Sequence, residues 1–239
     1  MKTNHIHPVS KNSIRIASMV LAVSIAGFLL NPPVSSAQES AGNFPSSGTH
    51  LATNNQVKKQ RLTNYEKGVT RLAENNAKEA IMYLNRASRE NPESADVYDK
   101  LGQAYAKQKD YRKAIQQFDQ AIANNKTNAS YFYNRALART YIDKIEMSIS
   151  DCDQAIALDP AYAEAYLVRG ISKALLGEGE GSMDDFKKAI SLRSDYGEAY
   201  YNIGLNYYEL RDDVNAKANF KKANDLGFNI PSLHAYLSN

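Results

Sequence analysis

Residues 95–128 read ADVYDKLGQAYAKQKDYRKAIQQFDQAIANNKTN, and the same skeleton returns every 34 positions along most of the chain. Alanine recurs at Ala87, Ala121, Ala155, Ala189 and Ala223, and a small residue at Gly68, Gly102, Ala136, Gly170 and Gly204. A larger residue keeps the same interval at Leu84, Phe118, Cys152, Phe186 and Phe220. A fourth register holds Tyr98, Phe132, Tyr166 and Tyr200, with Asn64 as its exception in the first copy. Five copies therefore fill residues 61–230 without insertion or deletion, as 61–94, 95–128, 129–162, 163–196 and 197–230. A fixed period of this length, kept in four registers, predicts a stacked repeat array.

These residues resemble the tetratricopeptide repeat family, whose pattern runs aromatic, Leu-Gly, Tyr, Ala, Phe, Ala, Pro within 34 positions. The second copy matches through Tyr98, Leu101, Gly102, Tyr105, Ala114, Phe118 and Ala121; its last position is Lys126, where the first and third copies have Pro92 and Pro160. The resemblance covers about seven tenths of the chain. It implies an all-α fold: a right-handed α-solenoid of five tandem helix-turn-helix repeats closed by a short C-terminal cap. Pro231 opens that cap, residues 231–239, in which Leu233, Tyr236 and Leu237 share one helical face. Open arrays need such ends for solubility.

Outward from the array, residues 1–37 read as a secretory signal. Lys2, Lys11 and Arg15 precede an uncharged, mostly apolar stretch from Ile16 to Leu30, and Val34-Ser35-Ser36-Ala37 places small residues for cleavage after Ala37. The stretch is short against the roughly 20 residues of a spanning helix, so a cleaved leader is expected and an uncleaved anchor is the alternative. The lone cysteine, Cys152, is far from that position, which excludes a lipid-modified N-terminus there. Residues 38–60 are rich in Ser, Asn, Gly and Thr and predict a flexible polar linker. The expected location is outside the cytosol, periplasmic or secreted, with inner-membrane anchoring if the leader is retained.

Composition narrows the function classes. The chain has 239 residues, 43 % of them hydrophobic, enough for a substantial core. Its 29 basic residues stand against 26 acidic ones, and the leader's three cations account for the whole excess. A neutral body lacks the basic field that nucleic-acid binding uses. One cysteine excludes an internal disulfide and a cysteine-based zinc site. His5, His7, His50 and His234 are too scattered for a metal cluster, and neither metal nor cofactor is expected. No catalytic His stands near a Ser or Cys, and no nucleotide loop or H-E-x-x-H occurs. Catalysis is not expected. Gly177-Glu178-Gly179-Glu180-Gly181 lacks the strand before it and the Lys-Ser/Thr after it that a phosphate loop needs, so it predicts a flexible inter-helix turn. Cys152, in a register of large core residues, reads as a buried filler. Two glycosylation sequons, Asn125-Lys126-Thr127 and Asn128-Ala129-Ser130, are assigned no role.

The resemblance implies a concave wall lined by the first helix of each copy, where the family commonly receives an extended peptide or a helix. At the corresponding positions stand Tyr133, Asn134, Leu137 and Tyr141 in copy three, then Leu167, Ile171 and Leu175 in copy four. Copy five adds Tyr201, Asn202, Leu205 and Tyr208, while copy two is more polar, with Asp96, Asp99, Lys100, Gln103 and Lys107. This predicts an apolar, aromatic inner wall in copies three to five, with Asp96, Glu164 and Glu198 along one rim. Tyrosine suits an interface because it joins large area to a polar tip. The expected function is a scaffold or adaptor that holds an apolar or amphipathic segment of a protein or peptide partner. A second reading packs the same residues against the chain's own linker or tail, or against another copy in a homodimer. The retained leader would instead make the array an accessory subunit of an envelope complex. Tyr65 and Val69 occupy positions where the family's carboxylate clamp carries Lys and Asn, so capture of chaperone tails is disfavoured.

Overall fold

The computed structural model describes residues 62–228. The leader, the linker and the C-terminal cap lie outside the described residues. Within them are ten helices and no strand. The first members of the pairs are α1 (Asn64–Ala73), α3 (Ala95–Lys107), α5 (Ala129–Tyr141), α7 (Ala163–Leu175) and α9 (Gly197–Glu209). The second members are α2 (Ala77–Glu90), α4 (Tyr111–Asn124), α6 (Ile145–Leu158), α8 (Gly179–Leu192) and α10 (Asp213–Asp225). From α4 onward, each helix starts 34 residues after its counterpart in the preceding pair.

Every pair turns through the same joint. The residue two beyond the first helix is left-handed, with φ near +60° at Asn75, Lys109, Asp143 and Arg211 and +80° at Gly177. The next residue's amide then reaches back to close the helix, as Asp110 does on the Tyr105 carbonyl at 3.0 Å and Asp212 on that of Tyr207 at 2.9 Å. That same residue opens the second helix: the side chains of Asn76, Asp110 and Asp212 accept from the amides of Glu79, Lys113 and Asn215. Lys144 and Glu178 make no such side-chain cap. One residue thus ends one helix and begins another, which fixes the antiparallel pair with almost no loop. The expected flexible glycine turn in copy four is corrected here. Gly177 occupies the ordinary left-handed position, while Gly179 and Gly181 are already inside α8.

Inside each pair the helices approach at the small-residue register. A side chain on Gly102 would place Cβ 2.5 Å from Cε1 of Phe118; Gly170 stands likewise to Phe186 at 2.6 Å and Gly204 to Phe220 at 2.6 Å. The absence of bulk on one helix is therefore what lets the aromatic ring of the other into the core. Copy three solves the same problem differently, with Ala136 and Cys152, both fully buried.

Between pairs, each second helix packs on the first helix of the next copy, and α1, α3, α5, α7 and α9 also touch in succession. Helices further apart make no substantial contact among the described residues, so the stack is open and not a closed bundle. Ile115 and Ile122 of α4, Ile156 of α6, and Met183 and Ile190 of α8 hold one register and pack in clusters that include residues of the following pair. In α10 that register carries Lys217 and Asn224. In α1 the aromatic register is Asn64. The first and last of the described helices thus carry polar residues where the inner ones are apolar.

Charged residues also bind neighbouring copies. Arg135 of α5 donates to Asp151 of α6 at 2.7 Å and to Asp119 of α4 at 2.6 Å, while Arg139 reaches Asp151 at 2.6 Å. One register on, Arg169 joins Asp185 and Asp153, both at 2.6 Å, with Lys173 on Asp185 at 2.8 Å. Asp151 and Asp185 are buried, and each faces two cations. Buried hydroxyls add a smaller link, Thr140 to Ser148 at 2.7 Å and Ser148 to Ser172 at 3.2 Å.

Candidate interaction surface

The first helices line one side of the stack, and the expected partner-facing residues divide there into two sets. Tyr133, Leu137, Leu167, Ile171, Tyr201 and Asn202 are buried. Asn134, Tyr141, Leu175, Leu205 and Tyr208 are half-buried. The expectation of a bare apolar wall is corrected by the first set. Tyr133 packs at 5.1 Å on Tyr162, and Leu137 shares its cluster with Ala136 and Val168. Leu167 and Ile171 sit with Phe186 and Ile203, and Tyr201 lies 5.4 Å from both Phe220 and Phe228. Leu137, Leu167 and Ile171 are covered by the following first helix, through Val168 and Ile203, and Tyr133 by Tyr162 at the start of α7. Tyr201 is covered within its own copy. What faces outward is the second set, carried on a floor made by the first.

The rim divides in the same way. Asp96 is exposed and accepts from the Tyr131 hydroxyl at 2.5 Å. Glu164 is half-buried and pairs with Arg193 at 2.7 Å, whose guanidinium lies over the Tyr196 ring at 3.2 Å. Glu198 is buried.

The most unusual group is Asp99 of α3, 4 % exposed on the same side. Its carboxylate accepts from Gln103 at 2.7 Å and from Asn134 of α5 at 2.8 Å, and Lys100 stands 3.6 Å away. Burial pushes its carboxyl pKa up, against the lowering by Lys100 and by the Asn134 hydrogen bond. Two side-chain amides from neighbouring copies are thus tied to one buried carboxylate. Beside them a cleft of about 20 Å³ is lined by Gln103, Asn134, Leu137, Phe118, Tyr111 and Tyr141. The rings of Tyr111 and Tyr141 stack across the copy boundary at 4.2 Å and 5°.

Cys152 is fully buried, and burial drives its thiol well above the ordinary range, so it stays protonated. Asn125 and Asn128 of the sequons are engaged in the loop before α5, their side chains accepting from Thr127 and Ser130 amides at 2.9 and 3.0 Å. Among the described residues no group of His, Cys, Asp and Glu could hold a metal ion, and no helix is long and apolar enough to cross a membrane.

The Asp99 hub and the arginine links were not anticipated from the sequence. The links had a signal in it: Arg135 and Arg169, Asp151 and Asp185, and Asp119 and Asp153 are each 34 residues apart. The hub had none, because Asp99 has no counterpart at its register in the other copies.

A stack of helix pairs with this joint and this glycine–aromatic contact defines a helical repeat protein. Tetratricopeptide repeat models match residues 71–142 and again residues 197–226. Among solved structures the chain is similar to MamA, with 26 % identity and a TM-score of 0.61 over 67 % of this chain and 94 % of that one. It is similar in fold to PilW, a widely conserved type IV pilus biogenesis factor, with 18 % identity and a TM-score of 0.65 over 71 % of this chain and 78 % of that one. It also resembles YrrB, described as having an unusual peptide-binding site, with 20 % identity and a TM-score of 0.58 over 72 % of this chain and 89 % of that one. No curated protein matches it in sequence.

Proposed function

We propose that this chain is a non-catalytic, exported scaffold that holds an amphipathic segment of a partner protein along its first helices. Asn134, Tyr141, Leu175, Leu205 and Tyr208 make the contact, and the buried set, Tyr133, Leu137, Leu167, Ile171, Tyr201 and Asn202, forms the rigid floor beneath. The observation that carries this is the row of half-buried, mostly large side chains on successive packed helices, with one amide anchored by Asp99. Rigid aromatic and aliphatic anchors cost little entropy on binding. The same fold carries a peptide-binding site in YrrB. The leader supports export, with the body released after Ala37; the reading with a retained anchor differs in the mass of the native N-terminus.

Affinity capture from the native host tests it. Tyr141→Ser with Leu205→Ser should lose the partner while the far-ultraviolet spectrum and a cooperative melt show that the variant is still folded. Unchanged partners at unchanged stoichiometry would overturn the groove.

A further inference from the structure

The inter-helix joints of successive copies lie side by side along one edge of the stack, away from the groove. In copies three to five this edge carries aliphatic side chains in the open: Met147 at 50 % exposure, Leu176 at 38 %, Leu210 at 71 % and Val214 at 80 %, beside half-buried Ile142. Ile142, Leu176 and Leu210 share one register, in which the first two copies have Glu74 and Gln108. The pattern is therefore not a requirement of the joint. Nor do these side chains serve the core, which is complete without them: Phe186, Phe220 and Cys152 are already buried below.

The same joints differ in charge. Segments 142–147, 176–181 and 210–215 hold six carboxylates, among them Glu146, Glu178 and Glu180, against two cations of their own, Lys144 and Arg211. Arg139 and Lys173, which reach the joints at Met147 and Gly181, are paired with buried Asp151 and Asp185. The joints of the first two copies, 74–79 and 108–113, hold three carboxylates against four cations. An aliphatic row set among carboxylates repels an anionic lipid surface and complements a segment that presents both aliphatic and basic side chains. A contiguous exposed apolar patch rimmed by polar residues marks an interaction site.

We infer that this edge of copies three to five is a second docking surface, occupied by a basic, aliphatic-rich segment of another polypeptide. It is separate from the inner wall and does not depend on the reading given to that wall. A scaffold with two such surfaces can hold two partners at once.

The test uses the full chain and a synthetic amphipathic helix of leucine and lysine, about 14 residues long, followed by fluorescence anisotropy beside its leucine–glutamate counterpart. The lysine peptide should bind about tenfold or more tighter than the glutamate peptide. Leu176→Ser, Leu210→Ser and Val214→Ser together should remove about that factor, while Tyr141→Ser with Leu205→Ser should leave it unchanged. These edge side chains are exposed, and an unchanged melting temperature confirms that the triple variant is folded. Equal binding of the two peptides, or full affinity in the edge variant, would overturn the proposal. So would sedimentation with phosphatidylglycerol vesicles that depends on the same three residues, since that assigns the edge to a membrane.

Discussion

Ala136 and Cys152 occupy in copy three the two registers at which Gly102 meets Phe118 and Gly170 meets Phe186, and the bulk lost on one helix is returned on the other. Where the first helix has no Cβ, the second inserts a large side chain, a ring in copies two, four and five and Leu84 in copy one. Where it has one, the second offers only a thiol. Cys152→Phe alone should therefore overpack the site and cost about 1–3 kcal/mol. Ala136→Gly in the same chain should recover most of that loss, and a double-mutant cycle by urea denaturation reads the coupling directly. Additive effects would mean that the two positions do not share space.

The joint makes a prediction of opposite sign. Lys109 and Arg211 hold φ of +62°, a conformation that costs a side chain with a Cβ but not glycine. Lys109→Gly and Arg211→Gly should each stabilise the array by about 0.5–1 kcal/mol, the left-handed penalty less glycine's extra freedom in the unfolded chain. Gly177→Ala should destabilise it. Denaturant midpoints of the three variants check the order.

Lys144 begins α6 without a side-chain cap, at the register where Asn76, Asp110 and Asp212 provide one. Lys144→Asp should add the missing bond and a favourable charge at the helix start, for about 1 kcal/mol of stability. A melting temperature no higher than that of the parent would contradict this.

Asp151 and Asp119 both accept from Arg135, but their surroundings differ: the Asp151 side chain is 3 % exposed and that of Asp119 is 45 %. Removing Asp151 leaves Arg135 and Arg139 without their shared partner, a loss of about 3 kcal/mol or more. Asp119→Ala breaks a solvated contact and should cost under about 1 kcal/mol. Equal losses from the two variants would contradict the burial argument.

Asp99 gives a pH signature. Its folded-state pKa lies above the ordinary carboxyl value because burial disfavours the charge. Between the unfolded and folded values the native chain holds more protons at this site than the unfolded chain, so its contribution to stability falls as pH rises through that window. Asp99→Asn cannot titrate and loses nothing there. The stability of the variant minus that of the parent should therefore climb with pH through the window above the unfolded value and flatten beyond it. A flat difference, from denaturation at a series of pH values, would show that the site does not titrate as described.

Much of the fold was legible because each repeat states its packing rule again. Gly102 and Phe118 mean little alone, but their 34-residue echoes at Gly170 and Phe186 place both on facing helices. The joint around residues 177–181 was misread because glycine composition suggests flexibility, whereas the left-handed position needs only one residue, here Gly177, and the others fit a helix. For the residues named on the first helices, the sequence did not reveal the depth of each side chain. Leu167 and Leu175 share helix α7, and contact between successive copies buries the first and leaves the second half-open. That contact depends on how the pairs stack, which the spacing within a single copy does not encode.

Site-specific photo-crosslinking in the native host is the most direct test of the scaffold reading. A benzophenone amino acid placed at Tyr141 or Leu205, on the inner side, should yield an adduct with one other polypeptide, and the same group at exposed Lys187 should not. Adducts of equal yield from all three positions, or an inner adduct with twice the mass of this chain, would contradict a partner held along the first helices.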